Sequence, residues 1–526
     1  MSHRTLSAYF VFLVALLVAP AILFGAEKLE ANSNSDCLST QDRAVCNVIL
    51  GSSANKATTN AVGVAIGGGG EPAFPNQVTG NFGAIGGGLG NTAGDLATIA
   101  GGSRNAATGF HSTVSGGSNN IASFPYTTVG GGENNIAGLA HATVSGGTYN
   151  TASARDTTVS GGSGNLAGFT LATVAGGANN AASSLAAAIG GGDHNVASGA
   201  FATVSGGSSN HASGFNATVT GGSGNIAHGN SATVGGGLAN WAAADYSTVA
   251  GGSENTAGTG NDDPRIAHYA AVGGGSQNTA SGAFSTIPGG LSNSAASAYS
   301  FAAGRRARID SAHPGAVLFA DSSDSDFNSF AANEFAVRAI GGVRFVTAVD
   351  SAGSPSAGVR LAKGSGSWEL LSDRNAKENI TTVDGRAVVK QLAEIPLSAW
   401  NYKTEAASIR HIGPMAQDFR AFGVGAGDQY ISIVDANGVA LAAIQGLYEL
   451  KQEQDNQMRV QQQQIATLKS ENAALQTRID DLDSRMAAME QAVKQNSVST
   501  QPVSALQSIW AFFSGLGLIG LVLSRR

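Results

Sequence analysis

Between Ile85 and Ile287 the chain repeats one apolar–polar phrase. An aliphatic residue stands just ahead of a glycine pair and an asparagine follows six places on, as in Val234/Asn240 and Val249/Asn255. The phrase occurs fourteen times, from Ile85/Asn91 to Ile287/Asn293. Its step is 15 residues, apart from a first step of 14 and one of 23 between Val249 and Val272, where TGNDDPRI reads as an inserted loop. A fixed short period marks a repeat architecture and argues against a disordered glycine linker. Each unit holds two short extended pieces, such as Ala-Thr-Val and Asn-Ile-Ala, separated by turn residues. Glycine supplies the positive φ of tight corners, and asparagine tolerates left-handed backbone. The spacing therefore predicts a parallel β-solenoid with Val and Ile inside and asparagines stacked along its axis. At about 4.8 Å per coil, the repeats make a rod on the order of 65 Å long. One coil buries only Ala, Val and Ile, so stability must come from stacking and from other chains.

The pattern then changes three times. Within 309–371, NEFAVRAIGGVRFVTAV alternates Phe335, Val337 and Ala339, then Val343, Phe345 and Thr347, around Gly341-Gly342. This predicts a hairpin centred on the glycines and a β-rich stem. From Ile444 the pattern becomes helical. Ile465, Leu468, Asn472, Leu475, Ile479, Leu482, Met486, Met489 and Val493 fall at alternating steps of three and four, a coiled-coil seam in which Asn472 fixes register. Lys451, Gln454 and Gln461 make the start of that seam polar. After the linker 496–502, Val503–Leu523 is an apolar run of 21 residues. It is long enough to span a bilayer, at about 31 Å as a helix, with Arg525-Arg526 left cytoplasmic. A removable sorting signal has the same shape. At the other end, Arg4 precedes an apolar run from Tyr9 to Gly25, which reads as an export signal ending near Ala21 or Ala26, or as an uncleaved anchor.

Composition narrows the function. Glycine supplies 73 of 526 residues and charged residues only 12%, which suits a repeat fold better than a compact enzyme. The net charge of −7, without a basic run, argues against nucleic acid as a partner. A phosphate-cradling reading of the glycines fails because they recur in every repeat and no lysine lies between Ile85 and Ser300. The residues give no sign of a cofactor or metal. His111 and His141 share a phase but stand two coils apart, roughly 10 Å, too far to hold one ion. Cys37 and Cys46 are the only cysteines; in an exported chain they form a small disulfide loop or remain two free thiols, and the residues leave both open.

One place suggests covalent chemistry. In SWELLSDRNAKENI, Ser372 and Lys377 make a possible Ser–Lys pair, because a serine hydroxyl becomes a nucleophile when a nearby base takes its proton. Taken alone, the stretch reads better as a helix N-cap at Ser372 or Asp373 followed by an exposed lysine. Trp400, His411 and Gly413-Pro414-Met415 read as core and turn.

Two resemblances extend these readings. ATVSGGSSNHASG and its siblings, over about 66–310, resemble the head repeats of trimeric autotransporter adhesins, the YadA-like left-handed β-roll, with FAAGRRAR at 301–308 as a closing variant. That resemblance implies three chains side by side and an adhesive outer surface, although this chain lacks the family's C-terminal barrel strands. LSDRNAKENI, WNYK, IRHIGPMAQDF and DANGVALAAIQGLYELKQE, spanning Leu371 to about Leu450, resemble the intramolecular chaperone of phage endosialidases, tail spikes and tail fibres. That family trimerises, helps β-rich fibres fold and then cuts itself off. Carried over, the scissile bond is Leu371–Ser372, with Ser372 as nucleophile, Lys377 as general base, and Asp373 and Asn379 as supporting positions.

The expected fold is mainly β. A signal or anchor (1–26) and a lead-in with the cysteines (27–65) precede a trimeric parallel left-handed β-roll (66–308) and a β-rich stem (309–371). An α+β chaperone domain (372–450), a coiled coil (451–495) and a C-terminal apolar helix (503–526) follow. The expected function is an exported surface fibre of a bacterial envelope, a homotrimer anchored through its C-terminal helix and meeting a surface glycan or matrix ligand. It would process itself once as a serine endopeptidase. The alternatives are a non-cleaving structural surface protein and a phage-like glycan-binding fibre. Glycan cleavage is disfavoured, since Ile85–Ser300 holds eight scattered acidic residues.

Overall fold

The computed structural model describes residues 46–259 and 265–496. The N-terminal apolar run, Cys37, most of the TGNDDPRI insertion and the apolar run 503–526 lie outside these residues. Cys46 is disulfide-bonded.

The repeats fold as a parallel β-solenoid built from two ladders of two-residue strands. In one ladder Thr128 and Val129 pair with Thr143 and Val144, then Thr143 and Val144 with Thr158 and Val159. In the other, Ile121 and Ala122 pair with Ile136 and Ala137. Strand alternation sends Thr outward and Val inward. Val114, Val129, Val144 and Val159 are 0% exposed, as are Ala122, Ala137, Ala152 and Ala167. The long step is absorbed without a change of register, since Val249 pairs with Val272 and Ala257 with Ala280.

A column of buried asparagines closes each coil. Asn180 Oδ1 accepts the Asn195 amide at 3.0 Å, while Asn180 Nδ2 donates to the Gly176 and Gly192 carbonyls, both at 2.9 Å. Each side chain thus binds its own corner and the next coil. The asparagines stack as expected, but mainly through backbone partners rather than amide to amide. The glycines of each pair differ in duty. Gly177 has φ +85°, and a Cβ there would stand 2.1 Å from the Gly192 carbonyl oxygen, whereas a Cβ on Gly176 meets nothing within 4 Å. In this coil glycine is therefore obligatory at the second place; in other coils the first place also takes positive φ, as at Gly161 (+155°) and Gly191 (+152°).

The corner on the other side of the coil also needs positive φ, yet it holds large side chains. Tyr246, Tyr269, Phe284 and Tyr299 lie between +57° and +59°. Their rings stack along the axis at 4.8, 5.1 and 5.2 Å. Left-handed backbone disfavours bulky residues; stacking between successive coils offsets that strain.

The solenoid extends beyond the period in both directions. Val48 pairs with Ala65 and Lys56 with Gln77, ahead of residue 66. After residue 308, Phe301–Gly304 pairs with Val317–Ala320, and that strand with Phe335–Arg338. Insertions at the corners lengthen the steps there, so the period disappears while inward alternation persists. Arg338 fastens the last coils: it donates to Asp321 at 2.9 Å and to the Ser325 carbonyl at 2.7 Å.

The hairpin expected around Gly341-Gly342 does not form. Phe335–Arg338 is taken into the solenoid's parallel ladder, where a continuous stack of strand edges offers it a partner. The hairpin lies one element later, between Gly342–Val349 and Pro355–Ala362, turning at Asp350–Ser354. Trp368–Leu370 completes a three-stranded sheet.

Residues 372–450 mix short elements: a 3₁₀ turn (Arg374–Ala376), a helix (Gly385–Glu394) and an antiparallel pair, Ser398–Trp400 with His411–Gly413. The long helix runs over 64 residues, Ile433–Asn496, about 96 Å at 1.5 Å per residue. It starts eleven residues before the expected Ile444, because the apolar stretch of the chaperone-like segment is already helical. Gly385–Glu394 crosses it glycine on glycine. A Cβ on Gly446 would stand 2.2 Å from the Gly385 carbonyl oxygen. Arg386 then pairs with Glu449 at 3.2 Å and Glu453 at 3.0 Å. The seam residues on this helix, among them Ile465 and Leu475, are exposed in the single chain. Among the described residues, no helix is long and apolar enough to cross a membrane.

Candidate functional site

Ser372 and Lys377 meet. Lys377 Nζ lies 2.6 Å from Ser372 Oγ and donates to it. Five residues of fully extended chain would carry the lysine out of reach, so the segment between them must double back. Asp373 makes it do so. It caps the 3₁₀ turn, its carboxylate accepting the Asn375 amide at 2.9 Å and Asn375 Nδ2 at 3.2 Å. The turn closes when the Lys377 amide donates to the Arg374 carbonyl at 3.2 Å. The N-cap expected at Ser372 or Asp373 therefore exists, at Asp373, and it delivers the lysine to the serine. Asn379 has φ +55°, a left-handed conformation asparagine accepts readily.

Upstream of Ser372 the chain is held as a strand. Val359, Arg360 and Leu361 pair with Leu370, Glu369 and Trp368. One step further, the Leu371 amide donates to the Gly358 carbonyl at 3.1 Å. Leu371 and Ser372 thus sit where a sheet edge gives way to a tight turn. They border a cleft of about 370 Å³ with Arg344, Gly358, Arg360 and Glu369 along its walls. Arg360 and Glu369 form an ion pair across the strands. Sequence reading picked out neither Gly358 nor Arg344, since their relevance depends on strand pairing.

His411 and Trp400 stand opposite each other in the antiparallel pair, rings 4.8 Å apart. His411 Nε2 lies 3.0 Å from Glu405. The Tyr402 amide, and after it His411, hold the Glu405 carboxyl below its ordinary range. This cluster fastens a β-turn and makes no contact with Ser372. Among the described residues, no group of three His, Cys, Asp or Glu side chains could hold a metal ion.

With this geometry established, one comparison bears on it. Residues 372–427 match the Peptidase_S74 family model, described as chaperone of endosialidase. The match opens on Ser372 and takes in Lys377, the Asp373 turn and the Trp400–His411 pair. A search of curated proteins finds no match to the chain. The chain therefore couples a parallel β-solenoid to a chaperone-of-endosialidase domain, the combination of a tail-fibre-like protein with an intramolecular chaperone.

Proposed function

We propose that this chain is an exported, trimeric fibre whose C-terminal domain templates assembly and then cuts the Leu371–Ser372 bond. The observation that carries the reading is the 2.6 Å contact between Ser372 Oγ and Lys377 Nζ at the first residue of the matched segment. In the cut, Lys377 accepts the Ser372 hydroxyl proton while Oγ adds to the Leu371 carbonyl carbon. The Leu371–Ser372 C–N bond breaks and the Ser372 amine leaves with that proton, so Leu371 becomes an ester on Ser372 Oγ. Water hydrolyses the ester, freeing the Leu371 carboxylate and restoring the hydroxyl.

A lysine accepts a proton only as the neutral amine, and removal from water favours that form. Packing of three chains supplies such removal, which ties the cut to assembly. Long-range β topologies fold slowly, so a template that departs once folding is complete has a use. The trimer is supported by the apolar seam exposed along Ile433–Asn496, with leucines and methionines that one chain leaves in water. The head follows the YadA-like reading: a left-handed roll presenting its outer face to a glycan or matrix ligand at a bacterial surface, with 503–526 as the membrane anchor.

Gel electrophoresis of the purified full chain tests the cut. Wild type is expected as two fragments, one ending at Leu371 and one beginning at Ser372. Ser372→Ala and Lys377→Ala are each expected as one full-length band. A wild-type chain that already runs intact removes the peptidase reading and leaves a chaperone that stays attached.

A further inference from the structure

Acyl transfer needs more than a nucleophile and a base. The scissile peptide must be held still, and the oxygen that becomes an oxyanion must face positive charge. Within the dyad's own turn, Lys377 is occupied with Ser372 and Asn375 with Asp373, so neither is free for these tasks. The stem offers a group for each. The Gly358 carbonyl holds the Leu371 amide at 3.1 Å. Only glycine serves at that place, because φ is +150° and a Cβ would stand 2.3 Å from the Phe345 carbonyl oxygen. Two guanidiniums line the cleft beside the scissile bond. Arg360 is neutralised by Glu369, whereas Arg344 is exposed and has no acidic partner among the described residues. Arg374, next to the dyad in sequence, does not line the cleft.

We propose that the stem sheet is one wall of the cleavage site, with Gly358 clamping the acyl side of the Leu371–Ser372 bond and Arg344 stabilising the charge that develops on the Leu371 carbonyl oxygen. The proposal rests on the self-cleavage reading above and adds to it that the cut responds to folding of the stem as well as to assembly of the chaperone. A stem that has not paired presents neither the clamp nor the charge. The dyad alone is then not competent, even within an assembled chaperone.

The test follows the fraction of chain cut over time, measured on the assembled species isolated by size exclusion. Arg344→Met is expected to slow the cut about tenfold or more, Arg344→Lys to restore part of the rate, and Arg459→Met, on the long helix, to leave it unchanged. Since Arg344 is exposed, its substitution should not disturb folding. Gly358→Ala is expected to slow the cut at least as much. If Gly358→Ala fails to assemble, Glu369→Arg sets like charges against Arg360 and loosens the same sheet edge, and Arg360→Glu with Glu369→Arg re-pairs it. Wild-type rates in Arg344→Met overturn the role of Arg344. Wild-type rates in Gly358→Ala, or in Glu369→Arg where that variant is used, overturn the clamp. An uncut wild type, indistinguishable from Ser372→Ala, removes the self-cleavage reading and this proposal with it.

Discussion

The solenoid and the long helix handle apolar side chains in opposite ways. Along the solenoid, valines such as Val174 and Val204 are 0% exposed in the single chain, and the asparagine column leaves the corners hydrogen-bonded. Along Ile433–Asn496, Leu468 is 58% exposed, Leu482 56% and Met489 68%. A coil finds its neighbours fifteen residues away in its own chain; a straight helix cannot reach itself. The solenoid core is thus complete within one chain, while the helix leaves its apolar seam uncovered.

The strongest way to break this contrast is to charge the seam. Leu475→Asp with Ile479→Asp is expected to convert the assembled species to single chains in sedimentation experiments, since a buried leucine lost from a core costs about 2–4 kcal/mol in each chain. The solenoid should keep its β circular dichroism in that variant. A wild-type chain that already sediments as a single copy would sink the seam reading.

An intermediate effect is expected inside the solenoid. Asn180→Ala removes the acceptor of the Asn195 amide and the donor to Gly176 and Gly192. Leaving such groups buried without partners costs about 1–3 kcal/mol each, so the urea midpoint should fall clearly. Gly177→Ala should fall comparably, and Gly176→Ala should stay within about 0.5 kcal/mol of wild type. Equal effects from the two glycines would contradict the corner geometry.

The smallest effect concerns pH. The Ile340 and Ser323 amides, together with Arg338, hold the Asp321 carboxyl well below its usual range. A carboxyl depressed in the folded state stabilises above its unfolded value and loses that contribution as pH falls through the folded one. The last coils should therefore stay protease-resistant through the ordinary carboxylate range near 3.8 and loosen only in stronger acid. Asp321→Asn should remove that acid step. A step at the same pH in the variant would assign it elsewhere.

Much of this was legible in the residues. The period named the coils, the inward valines and the closing asparagines, because every coil solves one packing problem in one phase. Taken alone, the Ser372–Lys377 spacing favours a capped turn over a chemical pair; the structure has the turn, and its Asp373 cap brings the lysine into contact with the serine. Less legible were the first and last coils, where insertions at the corners remove the period but not the inward alternation. The Gly341-Gly342 hairpin that the residues predict does not form; alternating residues look alike whether the strand pairs with its neighbour in sequence or with an open ladder edge. The aromatic corners, Tyr246 to Tyr299, carried no turn signal at all, since bulky residues in left-handed backbone become favourable only when stacked.

By itself, the sequence determined the repeat, its phase, the buried asparagine column and the heptad-like seam, all set by which side chains recur on one face. Only the tertiary structure decided which strand edge receives Phe335–Arg338, that Asp373 folds Lys377 back onto Ser372, and that Gly358 holds Leu371 beside Arg344. Local periodicity records which face of a segment is apolar. Hydrogen-bond partners between distant segments are chosen by the edges and space left once those faces are buried.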